Sequence, residues 1–176
     1  MGDFKVLFVG QRPPRKGFID LLMSYEKLSH PAKKLTVIGS LSKEAKHILD
    51  RYDLSTVTFL GNVEYKKLAY YYNDASVLVQ PSIEDGFAMV IGDALACGLP
   101  VITTNQTGAS ELIKNNVNGF VVPIRRPDLI SNHLQNLADD ESLLLSMRKA
   151  CVEISNQRIL TWESYGREWI NLLRKP

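Results

Sequence analysis

The sequence predicts an α/β fold, a doubly wound parallel sheet of about six strands covered by helices on both faces. Three observations carry this. Short apolar runs alternate with helical segments along the chain. The runs are apolar throughout rather than alternating with polar residues, as strands covered on both faces require. The length, 176 residues with 45% hydrophobic, suits one domain with a sizeable core and no more. Strand–helix alternation with right-handed crossovers then gives a single Rossmann-like domain over residues 1–176.

The elements follow in order. Lys5-Val6-Leu7-Phe8-Val9 reads as a buried strand ending at Gly10, and Ile19 to Tyr25 has helical spacing. Leu35 to Gly39 is a second strand, followed by a polar helix over Ser42 to Arg51 with Ser42 as its cap. Val57 to Gly61 is a third strand, Glu64 to Asn73 a helix and Val77-Leu78-Val79 a fourth strand. A helix over Phe87 to Cys97 is ended by Gly98 and Pro100. Val101-Ile102-Thr103 and Gly119 to Val122 complete the strands. Helices are expected at Asp128 to Leu137, Glu141 to Ser155 and Trp162 to Leu173.

Composition narrows the function. Charged residues make up 23% with a net charge of +2, and no basic stripe suggests nucleic acid. No apolar run approaches a membrane span, and the first residues lead straight into a strand without a signal-like leader. Cys97 and Cys151 lie far apart, with no Cys-x-x-Cys pair or His cluster, so reduced core thiols of a cytoplasmic protein are expected and a metal site is not. His30, His47 and His133 fall on helices or at a helix end and no Gly-x-Ser-x-Gly elbow exists, which disfavours a serine hydrolase.

Open parallel sheets bind ligands beyond the carboxyl ends of their strands. Three such loops stand out: Gly10 to Gly17, Gln80 to Phe87 and Thr104 to Glu111. The first carries Arg12, Arg15 and Lys16 before a helix, where cations can neutralise a phosphate, although a solvated basic turn fits as well. It is neither a Walker A nor a Gly-x-Gly-x-x-Gly loop. In the second, Glu84 and Asp85 precede a helix and Gly86 permits close backbone approach. Asp85 reads equally as a helix N-cap. Asp93 lies among Met89, Val90, Ile91, Ala94 and Leu95, and is either a functional carboxylate or a solvent-facing helix residue.

The segment Pro81-Ser82-Ile83-Glu84-Asp85-Gly86-Phe87-Ala88, with Asp93-Ala94-Leu95-Ala96-Cys97-Gly98-Leu99-Pro100-Val101, resembles a known family. It is similar to the C-terminal domain of the retaining glycosyltransferases built from two Rossmann-like domains (the GT-B fold), the large group that includes glycogen synthases and many mannosyl- and glucosyltransferases. That family carries Pro-Ser-x-x-Glu-Gly-Phe-Gly and then Glu-Ala-x-Ala-x-Gly-x-Pro-Val. Here the seven-residue spacing is kept, with aspartates at both glutamate positions. Phe8-Val9-Gly10 with Lys16-Gly17, the stretch Val57 to Ser76, and Thr107 to Glu111 before Asn118 to Pro123 extend the resemblance over nearly the whole chain.

The resemblance implies roles. Asp85 would contact the donor sugar and, with Lys16, form the catalytic pair. Asp93 would bind the ribose hydroxyls. Arg12, Lys16, Gly86, Phe87 and Ala88 would hold the diphosphate, with Gln11 where the family usually has Arg. Gly39, Leu41, Asn62 and Val63 would flank the base. The implied substrate is a nucleoside-diphosphate sugar, with no metal or other cofactor, and a glycan or lipid-linked sugar as acceptor. The acceptor-binding N-terminal domain would have to come from elsewhere, as a missing domain or a partner subunit, and peripheral membrane association of a full enzyme stays open. Two other readings remain: a non-catalytic nucleotide or sugar-phosphate module, and half of a nucleotide-sugar epimerase.

Overall fold

The computed structural model describes residues 2–11, 15–41 and 47–157, together with Ile170. Ser42 as a cap, the first half of its helix, Arg12 and, apart from Ile170, the expected helix over Trp162 to Leu173 lie outside the described residues. Six strands form one parallel sheet: β1 (Phe4–Val9), β2 (Lys33–Ile38), β3 (Val57–Gly61), β4 (Val77–Gln80), β5 (Val101–Thr104) and β6 (Gly119–Val122). Their order is β3-β2-β1-β4-β5-β6. The chain therefore reverses its direction of travel across the sheet between β1 and β4, which opens a crevice there.

The α-helices delimited among the described residues are α1 (Phe18–Lys27), α2 (Tyr65–Asp74), α3 (Met89–Ala96), α4 (Pro127–Asp139) and α5 (Glu141–Gln157). Successive residues of β1 point to opposite faces, as strand geometry demands. Val6 and Phe8 join α1 and α4 in one core layer, which holds Leu21, Leu22, Ile130 and Leu134. Leu7 and Val9 join α2 and α3 in the other, with Leu68, Tyr72, Ile91 and Leu95. β1 and β4 are buried nearly end to end, whereas β3 at the sheet edge is largely exposed. The helix α5 reaches both layers, placing Met147 in the first and Cys151 in the second.

Polar groups fasten the layers. The Lys33 ammonium donates to the carbonyls of Tyr25, Glu26 and Leu28 at 3.0, 3.3 and 2.7 Å, and lies 4.8 Å from the Tyr25 ring centroid. It satisfies acceptors that the end of α1 leaves free and adds charge where the helix dipole favours a cation. Arg148 of α5 donates to the carbonyl of Ala75 at 2.8 Å, tying α5 to the end of α2. Asn118 is fully buried, accepting from the Lys114 amide at 2.7 Å and donating to the Leu112 carbonyl at 3.0 Å. It shapes the turn into β6 in the way short amide side chains do.

The structure departs from the sequence reading at the start of α3. The helix expected from Phe87 begins at Met89, because Ala88 takes a left-handed conformation (φ 54°, ψ 66°) that no α-helix can continue. His133 is half-buried and stacks on Phe120 at 3.9 Å between centroids, which makes it a packing residue. Both cysteines are free thiols, and burial pushes Cys151 up to about 12.

Candidate functional site

The loops following β1 and β4 leave the sheet toward opposite layers, since α1 and α3 pack on different faces. Between them and the ends of β2 and β3 lies a cleft of about 750 Å³. That is ample for a nucleotide-sized ligand. Its floor includes Val9, Gly10, Ile38 and Gln80; its walls include Lys16, Asn62, Tyr65, Asp85 and Phe87.

The loop after β4 is held from both sides. Toward β1, the Ile83 amide donates to the Arg15 carbonyl at 2.8 Å. Toward β5, the Asp85 amide donates to the Gln106 carbonyl at 3.0 Å, and the Ala109 amide to the Phe87 carbonyl at 3.1 Å. Thr103 and Thr104 extend this by donating their hydroxyls to the carbonyls of Gln80 and Ser82 at 2.9 and 2.5 Å. Buried polar groups are thereby satisfied and the loop is fixed on the rigid sheet.

Lys16 and Asp85, 69 residues apart in sequence, form a direct ion pair across the cleft. Their side chains are only 24% and 13% exposed, so the pair is shielded from water on most sides. Asp85 also accepts from the Ala88 amide at 3.3 Å, through its other oxygen. This corrects the reading of Asp85 as a helix cap: it bonds the last loop amide before α3, and α3 itself has no side-chain cap. The Ala88 amide expected to face a ligand is occupied by that bond. Arg15, beside Lys16, approaches Glu84 only loosely, at 3.9 Å, with both side chains exposed.

Ala88 is the strained residue of the site. It is 8% exposed and carries a β-carbon where the backbone is left-handed. An L-residue there costs about 1–2 kcal/mol, from which the extra unfolded-state freedom of a glycine subtracts part. Ala88→Gly is therefore expected to stabilise the protein by about 1 kcal/mol and raise Tm by about 2–4 °C in thermal unfolding; a lower Tm would refute the strain.

Asp93 is half-buried in α3. Its Oδ1 accepts the Tyr65 hydroxyl at 3.0 Å. Burial raises the Asp93 carboxyl, while the Tyr65 hydrogen bond works against that rise. The hydrogen bond and charge of Asp93 raise Tyr65 in turn, keeping its hydroxyl protonated. Of the residues singled out from the sequence, Lys16, Asp85, Phe87, Ala88, Gly39, Asn62 and Val63 line the cleft. Asp93, Gly86 and Leu41 are not among its lining residues; Leu41 packs against the core instead.

Among the lining residues to which the sequence reading gave no role of their own are Tyr65 and Gln80. Tyr65 opens α2 and its partner is 28 residues away, so no local pattern marks it. Gln80 had a local signal: a polar residue closing an apolar strand just before Pro81. It is fully buried, its amide donates weakly to the Ser82 hydroxyl at 3.4 Å, and its Oε1 has no protein partner. Among the described residues no group of three or more His, Cys, Asp or Glu could hold a metal ion, and no helix is long and apolar enough to cross a membrane.

The family model for glycosyl transferases group 1 matches residues 1–158. The capsular polysaccharide biosynthesis glycosyltransferase CapM of Staphylococcus aureus is 34% identical over 147 residues, covering 80% of this chain and 38% of that protein. Sucrose-phosphate synthase from Thermosynechococcus elongatus superposes with a TM-score of 0.85 at 27% identity, over 98% of this chain and 45% of that one. Anabaena HepE, solved in complex with UDP-glucose, has the same fold at 22% identity and a TM-score of 0.81, over 89% of this chain and 45% of that one. The chain thus spans less than half the length of these relatives. With the family model matching residues 1–158, the chain belongs to the glycosyl transferases group 1 family.

Proposed function

We propose that this chain is the donor-binding domain of a retaining glycosyltransferase and holds a nucleoside-diphosphate sugar in the cleft between β1 and β4. The observation that carries the reading is the Lys16–Asp85 pair, a shielded cation and carboxylate facing one another in that cleft. Breaking a sugar–phosphate bond leaves negative charge on the nucleoside diphosphate, and a pre-positioned cation stabilises that leaving group. Lys16, with Arg12 in the same loop, supplies positive charge for the diphosphate without a metal. Asp85 accepts hydrogen bonds from donor-sugar hydroxyls, as carboxylates do. The nucleoside extends toward Gly39, Asn62 and Val63, with Asp93 on the ribose side.

The UDP-glucose bound to HepE supports a sugar nucleotide as ligand. The transferred group is a hexose, mannose among the candidates, and the acceptor is a glycan or lipid-linked sugar. The acceptor side comes from an N-terminal domain or partner subunit, so this domain alone binds donor and transfers little or nothing, in a cytoplasmic setting.

A metal-free thermal-shift panel of nucleoside diphosphates and their sugars tests the proposal. A ligand at 100 times its Kd adds about 2.7 kcal/mol of stability, which is roughly 5–10 °C in Tm here. No shift with any member of the panel would sink the reading. A non-catalytic binding module would give the same shifts but no sugar transfer once an acceptor domain is supplied.

A further inference from the structure

We infer that the Lys16–Asp85 pair makes the cleft select a sugar-bearing nucleotide over the bare nucleoside diphosphate left when the sugar departs, because Asp85 already holds the ammonium that a diphosphate needs. The inference rests on the cleft being a nucleoside-diphosphate-sugar site. Among the described lining residues the cations are Arg15 and Lys16, and the carboxylate is Asp85. The Arg15 side chain is 56% exposed and reaches Glu84 only at 3.9 Å, so the shielded positive charge is that of Lys16. A phosphate oxygen that meets Lys16 therefore shares one ammonium with Asp85 Oδ2. Two anions on one cation stand close enough to repel strongly where water is largely excluded.

Asp85 has no room to retreat from that encounter. Its amide donates to the Gln106 carbonyl at 3.0 Å, its carbonyl accepts from the Gly108 amide at 3.3 Å, and its Oδ1 accepts from the Ala88 amide at 3.3 Å. The loop bearing Lys16 is held as closely, since a β-carbon at Gly17 would lie 1.7 Å from the Pro81 carbonyl oxygen. The repulsion is thus built into the cleft, and the outer end of the ligand decides how it is met. In a sugar-bearing diphosphate the outer phosphate is a diester, and the sugar brings hydroxyls that donate to the carboxylate. A bare diphosphate ends in a monoester-like phosphate with roughly −1.5 to −2 charge at pH 7 and no sugar to cover Asp85. The same carboxylate that favours the donor opposes the product.

Calorimetry with uridine, guanosine and adenosine diphosphates, with their β-methyl esters and with their glucose and mannose esters tests this. The methyl ester removes the extra terminal charge without adding a sugar. Wild type is expected to bind the methyl ester of its preferred base at least as tightly as the free diphosphate. Asp85→Asn should bind the free diphosphate roughly 10-fold tighter than wild type does, the order of one charge–charge contact removed from a shielded site. The methyl and sugar esters should gain less than about threefold. Glu84→Gln removes the neighbouring carboxylate, whose side chain is 78% exposed, and should leave every affinity within about twofold. Thermal unfolding checks that both variants fold. A free diphosphate bound no tighter by Asp85→Asn overturns the inference although the site assignment stands, as does an equal gain for the methyl ester or in Glu84→Gln. A wild type that binds the free diphosphate more tightly than its methyl ester overturns it without any variant. If wild type binds none of the nucleotides, the assignment of the cleft fails, and the inference with it.

Discussion

Gly17→Ala is expected to destabilise the protein by about 3–5 kcal/mol, a large share of the 5–15 kcal/mol typical of a domain. Gly17 sits at the start of α1 with φ 70° and ψ 27°, a conformation that costs an L-residue about 1–2 kcal/mol. The second cost is steric. A β-carbon at Gly17 would lie 1.7 Å from the Pro81 carbonyl oxygen, and backbone cannot swing aside as a side chain can. Relief requires the loop after β4 to withdraw from the loop after β1. Gly61 supplies the control: its φ is 65°, yet a β-carbon there meets nothing within 4 Å. Gly61→Ala should show the dihedral cost alone. Chemical denaturation of the two variants measures the difference, and equal losses would show that the Gly17–Pro81 contact does not constrain the fold. The withdrawal would also part Lys16 from Asp85, so Gly17→Ala should lose ligand-induced stabilisation as well.

Lys16→Ala is expected to weaken nucleoside diphosphate binding roughly 10- to 100-fold, the worth of one charge-assisted phosphate contact. In the free protein Lys16 already has an anionic partner, so its loss acts twice. It removes the cation a phosphate would meet, and it leaves the 13%-exposed Asp85 carboxylate facing that phosphate unneutralised. Pairing Lys16→Ala with Asp85→Asn separates the two effects. The double variant should regain folding stability, because the orphaned charge is gone, without regaining wild-type affinity. Calorimetry and thermal unfolding on the same three proteins decide it; wild-type affinity in Lys16→Ala would remove the diphosphate role from this residue.

The sheet was legible because its central strands are short apolar runs, and burial on both faces leaves that mark without any knowledge of partners. Helix positions followed from spacing, but the start of α3 did not. Whether Phe87 and Ala88 continue into that helix depends on the Phe87 carbonyl accepting from Ala109 and on the turn that Asp85 makes with Ala88, neither of which spacing can encode. That the loops after β1 and β4 border the cleft was legible from their place after strands. Their direct coupling through Lys16 and Asp85 required the fold. Tyr65 stayed hidden because its meaning lies in a carboxylate on another helix. Leu41 packs partly against the core, which its neighbourhood in sequence does not reveal.

The position of β1 and β4 at the middle of the sheet, with β3 at its margin, grades the cleft mechanically. Local opening is governed by how much structure must be disrupted along with a segment. The loops bearing Lys16 and Asp85 hang from the two central, buried strands, which can loosen only with the whole core. Asn62, Val63 and Tyr65 hang from a marginal strand whose residues are mostly exposed, and which has one neighbour instead of two. One end of the cleft is thus a fixed anvil and the other a yielding jaw. A ligand spanning the cleft would therefore meet rigid walls at Lys16 and Asp85 and more adaptable ones at Asn62, Val63 and Tyr65.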